Sequence, residues 1–300
     1  MVASKALPRV VLVTRPTEYE GLLEQYGTRG QAAFLMGTRG QRIEPVEHRH
    51  LLHQQAIAEV LEAIPAPWGR SRISRKDLDR FLFRPDDIVI VVGQDGLVAN
   101  VAKYLNGQPV IGLNPDPETF EGILVRHPPK ACGDLLADVW AGRARMELRT
   151  MAEARVDGVE TLLALNEIFI GHRSHQSARY ELRWADRAER QSSSGVVVST
   201  GTGSSGWTRS IHRQHHSRIL LPSPTEPRLV FFSREPWPSL TTGVDLDEGE
   251  IDSASRLTIS SEMDDSGVVF GDGIEADAIA FGWGRTAELT VSERRLRLVA

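Results

Sequence analysis

The sequence predicts an α/β amino-terminal domain built on a parallel sheet, followed by a mainly β carboxyl-terminal domain. Three observations carry this expectation. Over roughly the first 130 residues, short β-branched runs alternate with helical stretches, the pattern of a parallel sheet covered on both faces. Beyond them the hydrophobic period changes to two, the pattern of half-buried antiparallel strands. The 300 residues, 41% hydrophobic and 25% charged, also suffice for two soluble domains with cores of their own. Residues 1–130 are expected to form the first domain and residues 131–300 the second.

The elements follow in order. "RVVLVT" (Arg9 to Thr14) is a buried strand by composition, and "HLLHQQAIAEVLEAI" (His50 to Ile64) places Leu51, Ile57, Leu61 and Ile64 near one helical face. After "APWGRSRISR" comes a short helix, "KDLDRFL", and then the strand "DDIVIVVG" (Asp86 to Gly93). Helical "VANVAKYL" (Val98 to Leu105) and the strand "QPVIGLN" (Gln108 to Asn114) complete the alternation, and a helix spans about Gly133 to Ala141. "ARYELRW" then puts Ala178, Tyr180, Leu182 and Trp184 on one face, and "RLVFFS", "RLTISS", "GVVFGDG", "TAELTV" and "RRLRLV" continue the period of two. The twin "GTRGQ" segments at Gly27 and Gly37 are too few for a solenoid and read as a mobile, phosphate-facing loop. Acidic "DLDEGEID" (Asp245 to Asp252) has its glycine one position too early for a calcium loop of EF-hand type and reads as a solvated turn.

Charge and cysteine content exclude several classes. The formal charge is −5 with both signs interspersed, so no basic field exists for nucleic acid or an anionic membrane. Cys132 is the only cysteine, which rules out an intramolecular disulfide and a cysteine-rich metal site. The longest apolar run, Ile88 to Gly93, is too short to span a bilayer. "MVASKALPRVVLVT" enters a strand-like run without a signal-peptide core, and the expectation is a cytoplasmic protein with small-molecule partners.

Three stretches could carry chemistry. In "VVGQDGL" a strand ends at Gly93, followed by Asp95-Gly96 and then a helix, which presents a carboxylate and backbone N–H groups where open α/β sheets bind ligands. A plain β-α turn with a capping aspartate is the alternative. In "LLALNEIFIG" Asn166 and Glu167 interrupt an apolar strand; an amide beside a carboxylate suits two vicinal hydroxyls, as on a ribose, or else is a strand-edge polar pair. "STGTGSSGW" contains Gly201-x-Gly203-x-x-Gly206, the spacing of a dinucleotide fingerprint. It lies in β-rich surroundings and leads to no parallel strand, so that reading fails on context, and the P-loop reading fails because no lysine follows Gly206. A loop of small hydroxyl residues remains, able to bond an adenine or ribose edge beside Trp207. Histidines cluster at His48, His50 and His53 and at His212, His215 and His216, but no metalloprotease pattern occurs and no metal ligand is assigned.

These motifs, in this order, resemble the NAD kinase family, whose pattern is Gly-Gly-Asp-Gly-Thr, then Asn-Glu or Asn-Asp, then a Thr-x-Thr-Gly-Ser-type loop. The mitochondrial-type branch is the most similar, through "PVIGLNPDPETFEG", "ALNEIFIG", "SSGVVVSTGTGSSGW" and "EPRLVFFSREP". The resemblance implies the NAD kinase/diacylglycerol kinase-like fold, with a β-sandwich-like carboxyl-terminal domain, and a homodimer or higher oligomer. It implies transfer of the γ-phosphoryl of ATP to the 2′-hydroxyl of the adenosine ribose of NAD, with Mg²⁺ or another divalent cation. Asp95 would be the general base, with Gly93, Gln94, Gly96 and Leu97 forming the phosphate loop. Asn166, Glu167, Thr200, Thr202, Ser205, Gly206 and Trp207 would hold NAD. Gln94 and Leu97 depart from the family's glycine and threonine, and a positive φ at Gln94 would strain the turn. Two other classes remain: a nucleotide-binding pseudokinase that lost turnover through Gln94 and Leu97, and a lipid kinase, which would need a membrane-binding surface absent from the sequence.

Overall fold

The computed structural model describes residues 7–300, so residues 1–6 of the amino-terminal stretch discussed above lie outside the described residues. The chain divides into two compact units, residues 7–147 with 297–300 and residues 148–296.

In the first unit, β1 (Arg9–Thr14) is followed by helices α1 (Glu18–Tyr26), α2 (Arg29–Thr38) and α3 (Glu44–Ala63), then β2 (Gly69–Ser74), β3 (Ile88–Val92), α4 (Asp95–Ala102), β4 (Pro109–Leu113) and α5 (Cys132–Trp140). The strands run parallel in the order β2-β1-β3-β4. Because β2 lies on one side of β1 and β3 on the other, the direction of winding reverses between β1 and β3. Such a switch point leaves a crevice at the strands' carboxyl ends. All five residues of β3 are buried, as a strand covered on both faces requires. Leu12, Ile57, Val60, Ile90, Ile111 and Leu136 form part of the core.

Several expectations are corrected here. The "GTRGQ" segments do not form one mobile loop: Thr28 caps α2 by accepting from the Gln31 N–H, and the helix takes in Arg29 to Gln31 of the first segment and Gly37 and Thr38 of the second. Helix α3 begins at Glu44, ahead of His50, with a proline in its first turn. Helix α4 begins at Asp95, ahead of Val98. "GRSRIS" is a strand, paired with β1 from Gly69 to Ser74; only Ile73 in it is buried, so this edge strand carries no apolar alternation to betray it. Helix α5 packs into the first core through Cys132 and Leu136, and the division falls after Glu147 instead of residue 130. Burial pushes the Cys132 thiol up to about 12, which leaves it unreactive.

The second unit is antiparallel. It contains β5 (Met146–Val156), whose first residues belong to the first unit, then β6 (Glu160–Ala164), β7 (Glu167–His172), β8 (Ala178–Trp184), β9 (Arg187–Ser193) and β10 (Val196–Ser199). Helix α6 (Trp207–Gln214) precedes β11 (Leu229–Ser233), β12 (Glu248–Ile251), β13 (Leu257–Ser261), β14 (Gly267–Gly271), β15 (Ile274–Ala280) and β16 (Thr286–Val299). One sheet runs β12-β11-β10-β7-β14-β15, and β16, β13, β8 and β9 form a second, with β5 and β6 attached at β16. Buried residues of the two sheets share one core, including Ile170, Val198 and Phe231 from one and Tyr180, Leu182 and Ile259 from the other. The last residues of β16 leave this unit, and Arg297 and Leu298 pair with Pro109 and Val110 of β4 in the first. "DLDEGEID" is not a solvated turn: Glu248 to Ile251 pairs with Leu229 to Phe232.

Tyr180 is fully buried with its hydroxyl among Ser193 Oγ (2.7 Å), Gln191 Oε1 (3.0 Å) and Ser233 Oγ (3.2 Å). Tyr180→Phe is expected to cost about 1–2 kcal/mol in a urea-unfolding measurement, because it leaves that polar cluster short of one member inside the core.

Candidate active site

The strand-to-helix turn of the first unit is unstrained. Its positive φ falls on Gly93 (+151°), while Gln94, at the N-cap position of α4, is extended at φ −105°, ψ 163°. A side chain at the second position therefore costs the backbone nothing. Gln94 Oε1 accepts from Arg15 Nη2 at 2.5 Å. Leu97 is buried against the turn, 1% exposed, and Gly96 is exposed at the helix start.

Asp95, the first residue of α4, is half-buried and hydrogen-bonded to one segment. Its Oδ1 accepts the N–H groups of Leu124 (2.7 Å) and Val125 (3.0 Å), and its Oδ2 accepts that of Ile123 (2.9 Å). That segment passes directly over β4, where a Cβ on Gly112 would come within 2.1 Å of the Leu124 carbonyl oxygen. Asn114 shapes the preceding loop, donating to the Phe120 carbonyl and accepting from the Asp116 N–H. Of the Asp95 oxygens, Oδ2 keeps the freer acceptor direction.

In the second unit, three segments interlock. Asp272, in the β14–β15 turn, accepts the N–H of Leu165 on Oδ2 (2.9 Å) and that of Asn166 on Oδ1 (2.7 Å), and its own N–H donates to the Glu167 carbonyl. The Asn166 carbonyl accepts from the Thr200 N–H. Thr200 is buried and spends its hydroxyl inside the loop: it donates to the Leu165 carbonyl at 2.5 Å and accepts the N–H of Thr202 and, more weakly, of Gly203. Thr202 accepts from Arg149, and the Ser205 hydroxyl donates to the Thr202 carbonyl. The glycine spacing has a packing cause. A Cβ on Gly203 would sit 2.4 Å from the Asn166 carbonyl oxygen, and one on Gly201 2.0 Å from that of Ser223. Gly201→Ala is accordingly expected to lower the melting temperature by several degrees at least, since both neighbours are backbone and cannot yield cheaply.

Two side chains stay uncommitted by this clamp. Among the described residues, neither the half-buried Asn166 carboxamide nor the Glu167 carboxyl has a hydrogen-bond partner in the protein. Burial, with the nearby Asp272 charge second, pushes the Glu167 carboxyl up to about 7. Gly206 opens α6, and Trp207 stacks on Phe169 at 5.8 Å with the Arg234 guanidinium 4.9 Å from its ring centre. Asp272, Arg234, Phe169 and Arg15 escaped the sequence reading. The "GDG" turn around Asp272 carried a signal; nothing local marked the others. The histidines are dispersed into separate bonds, such as His53 with the Val92 carbonyl and His212 with that of Ile219, and no group of three or more metal-binding side chains occurs among the described residues.

No protein-family model matches the chain. It is 26% identical over 311 residues to rat mitochondrial NAD kinase 2, covering 76% of this chain and 73% of that protein, and equally identical to the human protein, of which it covers 70%. An NAD kinase of Cupriavidus pinatubonensis is 31% identical over 153 residues, 46% of this chain and 49% of the relative. Among solved structures, an NAD kinase from Archaeoglobus fulgidus in complex with ATP superposes with a TM-score of 0.57 at 16% identity, covering 97% of this chain and 93% of that one. That likeness establishes the two-part α/β and β architecture. The sequence matches independently support the resemblance to NAD kinases.

Proposed function

We propose that this chain, similar to NAD kinases in sequence and alike in fold, is a phosphotransferase that uses ATP to phosphorylate the 2′-hydroxyl of the adenosine ribose of NAD, giving NADP. The observation that carries the reading is the Asn166–Glu167 bend. Its backbone is held by Asp272 and Thr200, while its amide and carboxyl stay free for a ligand, the donor and acceptor pair that two ribose hydroxyls require. Thr200 acts as a positioning residue, its hydroxyl being spent, and Thr202, Ser205, Gly206 and Trp207 surround the adenosine portion.

The first unit would supply the chemistry. The 2′-oxygen forms its bond to the γ-phosphorus as the bond to the β–γ bridging oxygen breaks, ADP leaves, and the hydroxyl proton passes to Asp95 Oδ2. The turn at Gly93, Gln94, Gly96 and Leu97, opening the positive end of α4, holds the donor phosphates; positioning and charge supply most of the catalysis in such transfers. A divalent cation accompanying the donor would neutralise charge on its phosphates; among the described residues no group of three or more metal-binding side chains occurs to hold one by itself. A homodimer or higher oligomer and a cytoplasmic location complete the proposal; among the described residues no helix is long and apolar enough to cross a membrane.

The test is an assay of NADP formation from NAD, ATP and magnesium. NAD binding by calorimetry with no NADP formed would overturn the kinase reading in favour of a binding protein. A pH dependence follows from Glu167. The ionised carboxylate is the better acceptor for ribose hydroxyls, so the KM for NAD is expected to rise by about tenfold for each pH unit below 7, measured between pH 5.5 and 8. Stability moves the same carboxyl the other way. With its ordinary value at 4.5 raised to about 7, the folded protein keeps a proton that the unfolded chain has lost, so folding stability falls as pH rises through that window. Glu167→Gln is expected to remove both slopes.

A further inference from the structure

We propose that Arg15, held in place by Gln94, is the cationic element of a polyphosphate-binding site at the carboxyl ends of β1, β2 and β3, and that it takes the phosphates of the nucleotide donor. The inference rests on the phosphotransferase reading above and names a donor-side residue that the motif pattern does not contain.

Placement comes first. Thr14 pairs with Ser74, and Val13 with Val91, so Arg15, Arg75 and the Gly93-Gln94 turn are the first residues beyond three adjacent parallel strands. This end of β1 and β3 is the switch point of the sheet, where open α/β sheets leave a crevice for ligands. Charge comes second. Among the described residues the Arg15 guanidinium has one hydrogen-bond partner, the neutral Gln94 Oε1, and no carboxylate. Partial burial, with the like charge of Arg75 second, holds the Arg15 guanidinium below its ordinary range. A half-buried cation facing another cation is costly without an anion to offset it.

The chemistry of the pair is also one-sided. Once Oε1 is spent on Arg15, Gln94 has only its Nε2 donors left, and most of the five donors of the Arg15 fork remain unspent. The pair therefore has only donors left to offer, which suits phosphate oxygens and rejects cations. A separate observation points to the same place: the Ser74 hydroxyl oxygen, at the end of β2 and next to Arg75, is shut away from solvent with no hydrogen-bond partner. The departure at Gln94 thus becomes functional. Where the family pattern has a glycine, this chain has an arm that orients an arginine.

Four proteins test it: wild type, Arg15→Gln, Arg15→Lys and Gln94→Glu. Inorganic tripolyphosphate and adenosine are titrated into each by calorimetry, and KM values for ATP and NAD are measured alongside melting temperatures. Arg15→Gln is expected to weaken tripolyphosphate binding and raise the KM for ATP by about tenfold to a hundredfold, with adenosine affinity and the KM for NAD unchanged. Arg15→Lys should recover part of the loss. Gln94→Glu should reproduce it, because a carboxylate neutralises Arg15 while keeping it bonded, and the melting temperature should hold. If Arg15→Gln does not fold, Gln94→Glu decides alone. Wild-type affinity for tripolyphosphate in folded Arg15→Gln, or in Gln94→Glu, overturns the site while leaving NADP formation by the wild type untouched. Conversely, an Arg15-dependent affinity in a wild type that forms no NADP sustains the site and sinks the kinase reading.

Discussion

Asp95→Asn is expected to slow NADP formation by a factor of about 10²–10⁴, the range that loss of a general base produces. The structure makes the origin of that loss a question in itself. Asp95 receives three N–H groups from Ile123, Leu124 and Val125, so its carboxylate both stands at the turn between β3 and α4 and anchors the segment above β4. An asparagine keeps one oxygen, but its NH₂ group must face one of those N–H groups, donor against donor, at a cost of about 1–3 kcal/mol. The substitution can therefore act by removing a proton acceptor or by releasing the segment. Amide hydrogen exchange at Ile123 to Val125 separates the two. A rate loss with exchange as in the wild type assigns the proton to Asp95; an equal loss with faster exchange makes Asp95 a positioning residue, and a wild-type rate removes it from the mechanism altogether.

How much of this the sequence carried depended on whether the information was local. Strand β3 and the antiparallel run from β8 onward were legible because burial on both faces, or on one, writes itself into composition and period: Ala178, Tyr180 and Leu182 are each fully buried, as their alternation predicts. Strand β2 was not, since it sits at a sheet edge where backbone pairing with β1 suffices and the side chains are free to be Arg and Ser. Helix α2 was hidden by its glycines, which suggest a loop until Thr28 is seen to cap the helix. The turn between β3 and α4 was placed at Gly93 to Asp95 by the sequence, but its backbone conformation was not. A positive φ at Gln94 would have strained it, yet the left-handed position is Gly93, and the tie from Gln94 to Arg15 spans 79 residues. Likewise "STGTGSSGW" was legible as a loop of small residues. That Gly201 and Gly203 are small so that Ser223 and Asn166 can approach is a fact of tertiary packing.

The second large effect belongs to Asp272, in the turn between β14 and β15. Asp272→Ala is expected to weaken NAD binding by about a hundredfold and to cost about 3 kcal/mol or more in stability, because two charge-assisted bonds to the Leu165 and Asn166 N–H groups disappear together. Its backbone adds to the cost: φ is +55°, a region that asparagine and aspartate tolerate and alanine does not. Asp272→Asn keeps the backbone conformation and one of the two hydrogen bonds, its NH₂ group facing the other N–H, so it removes the charge at a smaller architectural cost than alanine. Asp272 is the second cause, after burial, of the raised Glu167 carboxyl, and removing its charge lets that carboxyl ionise at lower pH. The KM for NAD should therefore begin its rise at a more acidic pH in Asp272→Asn than the value near 7 in the wild type, even if its plateau is higher. Kinetics across pH 5.5–8 read both quantities at once. A plateau change without movement of the midpoint would confine Asp272 to holding the bend, and a midpoint that moves to higher pH would contradict the assignment of Glu167 as the titrating group.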